Sequence, residues 1–75
     1  MQKSHVLISC EKDAEDMIKT KIAKMKEVKK IERTTGHYDL VVELESDNEE
    51  KIRKIIGSGI KNMKLVRSTL MLIHA

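Results

Sequence analysis

The chain has 75 residues, which is room for one small domain and excludes a two-domain arrangement. Hydrophobic residues make up 40% and charged residues 36%, a mixture that supports a folded core and a well-solvated surface and excludes a disordered chain. The net charge of +3 comes mostly from lysine, which binds phosphate less directionally than arginine. Because a domain this small buries only about 60 to 65% of the surface of its unfolded chain, we expect self-association to add stability.

Short apolar runs and a single cysteine limit the cellular setting. The longest apolar runs, residues 6–8 and 70–73, are far shorter than the roughly 18 residues that cross a bilayer. No charged segment followed by an apolar one opens the chain as a secretion signal would. Cys10 is the one cysteine, so it has no intramolecular disulfide partner and belongs to no paired-thiol motif. These features predict a cytoplasmic protein that does not bind membranes.

The first third of the chain is predicted to form a strand and then a helix. Residues 5–10 are an apolar run with β-branched members, typical of a strand. Within residues 12–27 the apolar side chains recur at helical spacing, acidic residues open the segment and lysines close it, as the helix dipole favours. The apolar positions are Ala14, Met17, Ile18, Ile22 and Met25.

A hairpin is predicted next. Residues 28–35 resemble an exposed edge strand, where lysines discourage pairing with other strands. Gly36 and His37 then form a tight turn, and residues 38–45 alternate so that Tyr38 shares one face with Leu40, Val42 and Leu44.

A second helix and a last strand complete the chain. Ser46 or Asp47 is predicted to cap the helix, since each precedes a glutamate by three residues. The apolar stripe consists of Ile52, Ile55, Ile56 and Ile60. Gly57 and Gly59 predict that the helix loosens into a turn around residues 60–62. Residues 63–74 are predicted to form the longest strand.

The predicted order is therefore βαββαβ. A faint repeat, residues 25–29 over residues 60–64, agrees with two βαβ halves. We predict an α+β, ferredoxin-like fold, in which an antiparallel sheet carries both helices on one face and the first strand lies between the third and the fourth. The first and last strands are apolar on both faces, so we expect the uncovered face to pack against a second copy of the chain.

Several functions that this fold supports are excluded by the residues present. Heavy-metal domains need a second cysteine three residues after Cys10, and RNA-recognition modules need several aromatic side chains where only Tyr38 is present. A phosphate-cradling loop would need glycine or arginine within residues 10–16, which contain neither. No nucleophile with a neighbouring base or pair of carboxylates stands out, so we expect no enzymatic activity.

Two segments are similar to a known family. Residues 32–42, Glu-Arg-Thr-Thr-Gly-His-Tyr-Asp-Leu-Val-Val, and residues 66–73, Val-Arg-Ser-Thr-Leu-Met-Leu-Ile, resemble the effector-binding domain of the Lrp/AsnC transcription regulators. The resemblance covers nearly the whole chain. Regulators of that family carry a helix-turn-helix before this domain, whereas Met1 stands four residues before the first predicted strand. We therefore expect a stand-alone effector domain over residues 1–75, with no helix-turn-helix and no direct sequence-specific DNA binding.

The resemblance implies a homodimer, assembly of dimers into a ring such as an octamer, and a small amino-acid effector between dimers. Its contacts would be the turn of Gly36, His37, Tyr38 and Asp39, together with Ser68 and Thr69 on the last strand. The chemistry agrees, because glycine lets a carboxylate approach backbone N–H groups and Asp39 can accept hydrogen bonds from an ammonium group. The plainer interpretation is an ordinary turn glycine, an aspartate that binds nearby N–H groups, and ordinary strand hydroxyls. The other functional interpretation is a scaffold that pairs with full-length regulators and binds no amino acid.

Three further features carry alternative interpretations. Six lysines within residues 19–30 are either a solvated surface or a salt-sensitive contact for DNA phosphates. The acidic residues within 43–50 are candidates to meet those lysines on a neighbouring subunit. His5 and His74, near the ends of two adjacent strands, are either exposed histidines or a pair that binds copper or zinc, and otherwise no cofactor is expected. Methionines at core spacings are expected to pack rather than to bind metal.

Overall fold

The computed structural model describes the backbone of residues 2–74 and the side chains of residues 2–72. The strands are β1 (Gln2–Cys10), β2 (Val28–Arg33), β3 (Leu40–Ser46) and β4 (Val66–His74). The helices are α1 (Glu15–Ile22) and α2 (Glu49–Lys54), and α2 continues into a π-helical segment at Ile55–Ile60. The order βαββαβ agrees with the sequence-based prediction.

The four strands form one antiparallel sheet in the order β2-β3-β1-β4. Strand β1 therefore lies between β3 and β4, as predicted, and the architecture is the ferredoxin-like α+β fold. Val6 of β1 lies opposite Val42 of β3 and Met71 of β4, and this register fixes which side chains share a face. From Ser4 to Cys10 in β1, and along the whole of β3, every second residue is buried.

One face of the sheet and the helices enclose the core. Its fully buried members are Val6, Ile8, Leu40, Val42 and Leu44 from the strands and Ile18, Ile22, Ile52 and Ile60 from the helical segments. Each contributes roughly 1.5 to 3 kcal/mol through removal of its side chain from water. Ser4 is also fully buried on this face, and its Oγ has no hydrogen-bond partner among the described residues.

Helix α1 is shorter than the predicted segment of residues 12–27. Before it, Asp13 has a φ of 65°, which no helix accommodates, and the Ala14 N–H donates to the Glu11 carbonyl. After it, the Met25 N–H donates to the Ile22 carbonyl three residues back, so the chain turns instead of continuing the helix. Met17, predicted to lie on the buried stripe, is 54% exposed, because the helix turns Ile18 and Ile22 inward and successive residues of a helix point about 100° apart.

The strand ends also differ from the prediction. Strand β1 begins at Gln2 rather than at His5, because Ser46 and its neighbours supply partners for the first polar residues. Strand β2 ends at Arg33, β3 begins at Leu40, and the predicted two-residue turn is a longer loop. Strand β4 begins at Val66 because residues 60–66 form successive turns closed by three-residue hydrogen bonds.

The start of α2 corrects one prediction, and its end confirms another. Asn48, and neither Ser46 nor Asp47, caps the helix: its Oδ1 accepts from the Lys51 N–H at 2.8 Å. Ser46 is the last residue of β3, so it belongs to the sheet and not to the start of the helix. The glycine-containing segment continues the helix as a π-helix that keeps Ile56 and Ile60 buried. The turn predicted at residues 60–62 follows it, closed by the Met63 N–H, which donates to the Ile60 carbonyl at 3.1 Å.

Candidate functional site

The loop between β2 and β3 holds the predicted ligand turn at one end of the sheet. The Thr34 N–H donates to the Asp39 carbonyl at 3.0 Å, and the Asp39 N–H donates to the Ile8 carbonyl at 2.8 Å. Between these bonds, Gly36 has a φ of 103°, a conformation that side chains disfavour, and a Cβ at this position would have no neighbour within 4 Å. The glycine is thus needed for the backbone conformation, while the space around it is open.

The Asp39 side chain ties this loop to the end of β1. Its Oδ2 accepts a hydrogen bond from the Cys10 backbone N–H at 2.9 Å. The observed contact is the one expected of an aspartate that binds nearby N–H groups. It also fixes the carboxylate at the edge of the open loop, with the half-buried Asp39 beside the exposed Gly36 and His37.

The nearby thiol is held in its neutral form. Burial, and then the charge of Asp39, raise the pKa of the Cys10 thiol to about 11. Cys10 is 5% exposed. At neutral pH it is therefore a protonated, inaccessible thiol, without the thiolate character that reactive cysteines and metal ligands need.

The predicted contacts on β4 lie on opposite faces of the sheet. Ser68 pairs with Ser9 and is exposed, whereas Thr69 pairs with Ile8, whose side chain points toward the helices. Ser68 lies at the same end of the sheet as Asp39, with β1 between them, which corresponds to about 10 Å across two strand spacings. The structure thus groups the loop with Ser68, while Thr69 is directed to the other face. Tyr38 is half-buried and His37 exposed within the same loop.

The sheet face opposite the helices divides into an apolar and a charged half. On β1 and β4, Leu7 lies directly opposite Leu70, and Leu70 and Leu72 are 43% and 46% exposed. Val41 extends this row on the other side of Leu7. We call Leu7, Val41, Leu70 and Leu72 the apolar patch.

The charged half, which the sequence interpretation missed, surrounds a depression of about 280 Å³. Glu43 Oε1 lies 3.5 Å from His5 Nε2, and Lys30 Nζ lies 2.7 Å from Glu32 Oε1. The Lys30–Glu32 contact raises the pKa of Lys30 and lowers that of Glu32. Alternation of charges along β2 and β3 could have revealed this half, because Lys30, Glu32 and Glu43 all fall on the uncovered face.

The histidine pair lies partly outside the described side chains. In the strand register His74 is opposite Lys3, and His5 is opposite Leu72. The side chain of His74 lies outside the described residues. Within the described part of the chain, no three His, Cys, Asp or Glu side chains are grouped as metal ligands.

The two charge tracts differ in how far they are neutralised within the chain. Asp47 and Glu49 form i,i+4 contacts with Lys51 at 3.5 Å and Arg53 at 3.3 Å. All six lysines of residues 19–30 are exposed, and among the ion pairs of the described residues only Lys30 takes part, with Glu32. None of the described helices is long and apolar enough to span a membrane.

The comparisons with known proteins agree with the fold. The model of the Lrp/AsnC ligand binding domain matches residues 4–74. The crystal structure of FFRP-DM1 is similar with a TM-score of 0.95, 27% identity and full coverage of both chains. The protein TTHA0845 from Thermus thermophilus has a TM-score of 0.94 and 25% identity, over 100% of this chain and 94% of that one. The comparison with curated proteins found no match.

A longer regulator contains the same fold. The transcriptional regulator NMB0573 from Neisseria meningitidis, solved as a complex with L-Met, has a TM-score of 0.88 and 14% identity, over 99% of this chain and 49% of that one. The identity of that pair supports the fold alone. The family match covers nearly the whole chain, and the resemblance noted in the sequence is confirmed: the chain belongs to the Lrp/AsnC ligand-binding domain family, a family of regulatory domains.

Proposed function

We propose that this domain binds a small amino acid at the β2–β3 loop and serves as an effector-sensing module of transcription regulation. The observation that carries the proposal is the Asp39 carboxylate, fixed by the Cys10 N–H beside a glycine loop that is open to solvent. The family match supports a ligand-binding role, and the fixed carboxylate supports a ligand that carries an ammonium group.

The groups at the loop suit the two ends of an amino acid. Backbone N–H groups around Gly36 are suited to the ligand carboxylate, because no Cβ hinders its approach. Asp39 would accept from the ammonium group through the lone pairs that Cys10 leaves free. Ser68 offers a hydroxyl at the same end of the sheet. Since this edge is open, a neighbouring dimer would supply the remaining wall, as the family resemblance implies.

The experiment is a thermal-shift screen of the twenty amino acids at millimolar concentration. L-Met is the first to try, because the structure of NMB0573 is a complex with L-Met. A ligand at 100 times its dissociation constant stabilises the folded state by about 2.7 kcal/mol, a clear shift in a domain of this size. If none of the twenty amino acids shifts the melting temperature, the proposal is contradicted.

A matched pair of variants locates the site. In Asp39→Asn the amide oxygen can still accept from the Cys10 N–H, while the charge for the ammonium group is lost. We expect the folded domain to lose its response to the amino acid. Asp47→Asn, an equivalent change at an exposed aspartate after β3, is expected to keep it. An unchanged response in Asp39→Asn would remove Asp39 from the site.

We further propose that the domain forms a homodimer through its open sheet face, and that dimers assemble into a ring such as an octamer. The apolar patch supports the dimer, since two leucines nearly half exposed beside Leu7 favour burial against another apolar surface. A mass from light scattering that corresponds to a stable monomer at micromolar concentration would contradict this.

Any effect on DNA is proposed to be indirect. Both helices bury apolar side chains against the sheet, so neither is available as a recognition helix. Acting in the cytoplasm, the domain would pass the effector signal through contact with full-length regulators. A gel shift with specific and scrambled duplexes tests this: the lysines allow salt-sensitive binding without sequence preference, and sequence-selective binding would contradict it.

The second candidate is a scaffold that pairs with full-length regulators and binds no amino acid. The observation in its favour is that the same fold makes up about half of the NMB0573 chain, at 49% coverage. The two candidates differ in the thermal-shift screen. A scaffold would bind a full-length regulator in a pull-down. Its melting temperature would not change with any of the amino acids.

A further inference from the structure

A second concave surface lies on the helical side of the molecule, away from the β2–β3 loop. It is a depression of about 280 Å³ between α1 and the turns that precede β4. Met17 and Ile18 line it from α1, and Met63 and Leu65 line it from the turns. We call this depression the methionine pocket.

The floor of the methionine pocket is apolar and partly open. Ile18 is 1% exposed and belongs to the core, whereas Met17 is 54% exposed, and Met63 and Leu65 are half-buried. Met17 departs from its predicted place in the core, so its thioether chain lies beside the depression instead of in the interior. Methionine side chains adapt their shape to apolar ligands because three bonds rotate and the sulfur is polarisable.

Two cations stand at the rim. Lys21 and Lys64 line the depression, and neither forms an ion pair with any of the described residues. Two nearby carboxylates are engaged elsewhere, since Glu11 faces Arg67 at 3.6 Å and Asp16 faces Arg33. The pocket therefore combines an apolar floor with uncompensated positive charge, which is complementary to a ligand with an apolar body and an anionic end.

From this complementarity we propose that the methionine pocket binds a small apolar monocarboxylate, an aryl or branched aliphatic acid without an ammonium group. The apolar part contacts Met17, Met63 and Leu65, and the carboxylate lies between the ammonium groups of Lys21 and Lys64. The volume, at the lower end for ligand pockets, selects a small acid over a long lipid chain. This site is independent of the amino-acid proposal, because it shares no residue with the β2–β3 loop.

The methionines allow the binding to be observed directly. In protein labelled with ¹³C at the methionine methyl groups, phenylacetate is expected to shift the Met17 and Met63 signals saturably at millimolar concentration. The Met25 and Met71 signals are internal controls, since neither side chain lines the pocket. Phenylacetamide, which has the same ring without the charge, is expected to bind much more weakly.

Two double variants separate the rim charges from general electrostatics. Lys21→Gln with Lys64→Gln is expected to weaken phenylacetate binding by about tenfold, the value of two exposed charge contacts. Lys24→Gln with Lys61→Gln removes the same net charge from nearby exposed positions and is expected to leave the affinity unchanged. Asp39→Asn is expected to keep phenylacetate binding, which keeps this result distinct from the amino-acid test.

Several results would overturn the proposal. These are the absence of a saturable shift at Met17 and Met63, equal binding of phenylacetamide, and equal loss in the two double variants. A dependence of the Met17 signal on protein concentration, with no response to phenylacetate, would show that a second copy of the chain covers the surface instead.

Discussion

The two faces of the sheet are made by alternate residues of the same strands, yet only one of them is covered by other parts of the chain. On the helical face Val6 and Ile8 are fully buried within one chain. On the other face Leu70 and Leu72 remain 43% and 46% exposed beside charged neighbours. The first face is sufficient to define the fold, whereas the second leaves apolar area exposed that another surface can bury. The stability of the fold and the proposed assembly thus depend on alternate positions of the same strands.

The sharpest contrast is expected from truncation on the buried face. Ile8→Ala should lower the free energy of unfolding by about 2 to 5 kcal/mol, because it opens a cavity under the centre of the sheet. Leu70→Ala, on the open face, should cost the isolated protomer far less. Urea denaturation at several protein concentrations separates the two effects, since only the assembly term depends on concentration. Equal losses at low concentration would contradict the distinction between the faces.

Cys10 lies on the buried face, and its N–H binds Asp39 of the β2–β3 loop. The raised pKa of its thiol predicts that the free energy of unfolding falls at alkaline pH. Because the pKa of the thiol is raised from 9.0 to about 11, the folded state favours the neutral thiol over the thiolate. The full contribution of this preference to the free energy of unfolding is present below pH 9. It is lost as the pH rises from 9 through about 11, by up to about 2.7 kcal/mol for a two-unit shift. Denaturation of wild type and Cys10→Ala across this range is the measurement. A parallel pH dependence of the two proteins would contradict the assignment.

Ser4 gives the smallest expected effect on the buried face. Its Oγ is buried with no hydrogen-bond partner among the described residues, so Ser4→Ala removes a polar group that water no longer solvates. We expect a gain of about 1 kcal/mol in stability. Thermal unfolding measures this gain. The control is Ser9→Ala, at a half-buried serine on the open face of the sheet. A clear loss of stability would show that the Ser4 hydroxyl is bonded.

The order of elements along the chain and the division into two faces were predictable because they depend on local periodicity, and the strand order then followed from the fold that this order of elements indicates. Alternation along residues 38–45 places Leu40, Val42 and Leu44 in the core, and the isoleucine spacing of the second helix places Ile52, Ile56 and Ile60 there. The length of α1 was not predictable in the same way. It depends on the positive φ of Asp13, and nothing in the helical spacing of the residues that follow signals it.

The residues of the proposed site could be named from the sequence, but their geometry could not. The loop of Gly36 and Asp39 is visible in the sequence through its glycine and its resemblance to the family. The bond from Cys10 to Asp39 joins residues 29 positions apart, and no local pattern specifies it. Ser68 and Thr69 lie on opposite faces because successive residues of a strand alternate, which the sequence already implies. Which of the two lies on the open face is set by the pairing of Ser68 with Ser9 and of Thr69 with Ile8.

The most direct test of the difference between the faces is the mass in solution of the double variant Leu70→Lys with Leu72→Lys. Its control is Met17→Lys, which adds a lysine at an apolar residue on the helical side that is 54% exposed. Light scattering should show the double variant as a monomer with an unchanged circular dichroism spectrum, while the control keeps the mass of the wild type. A double variant that assembles as the wild type does would contradict the assignment of assembly to the open face.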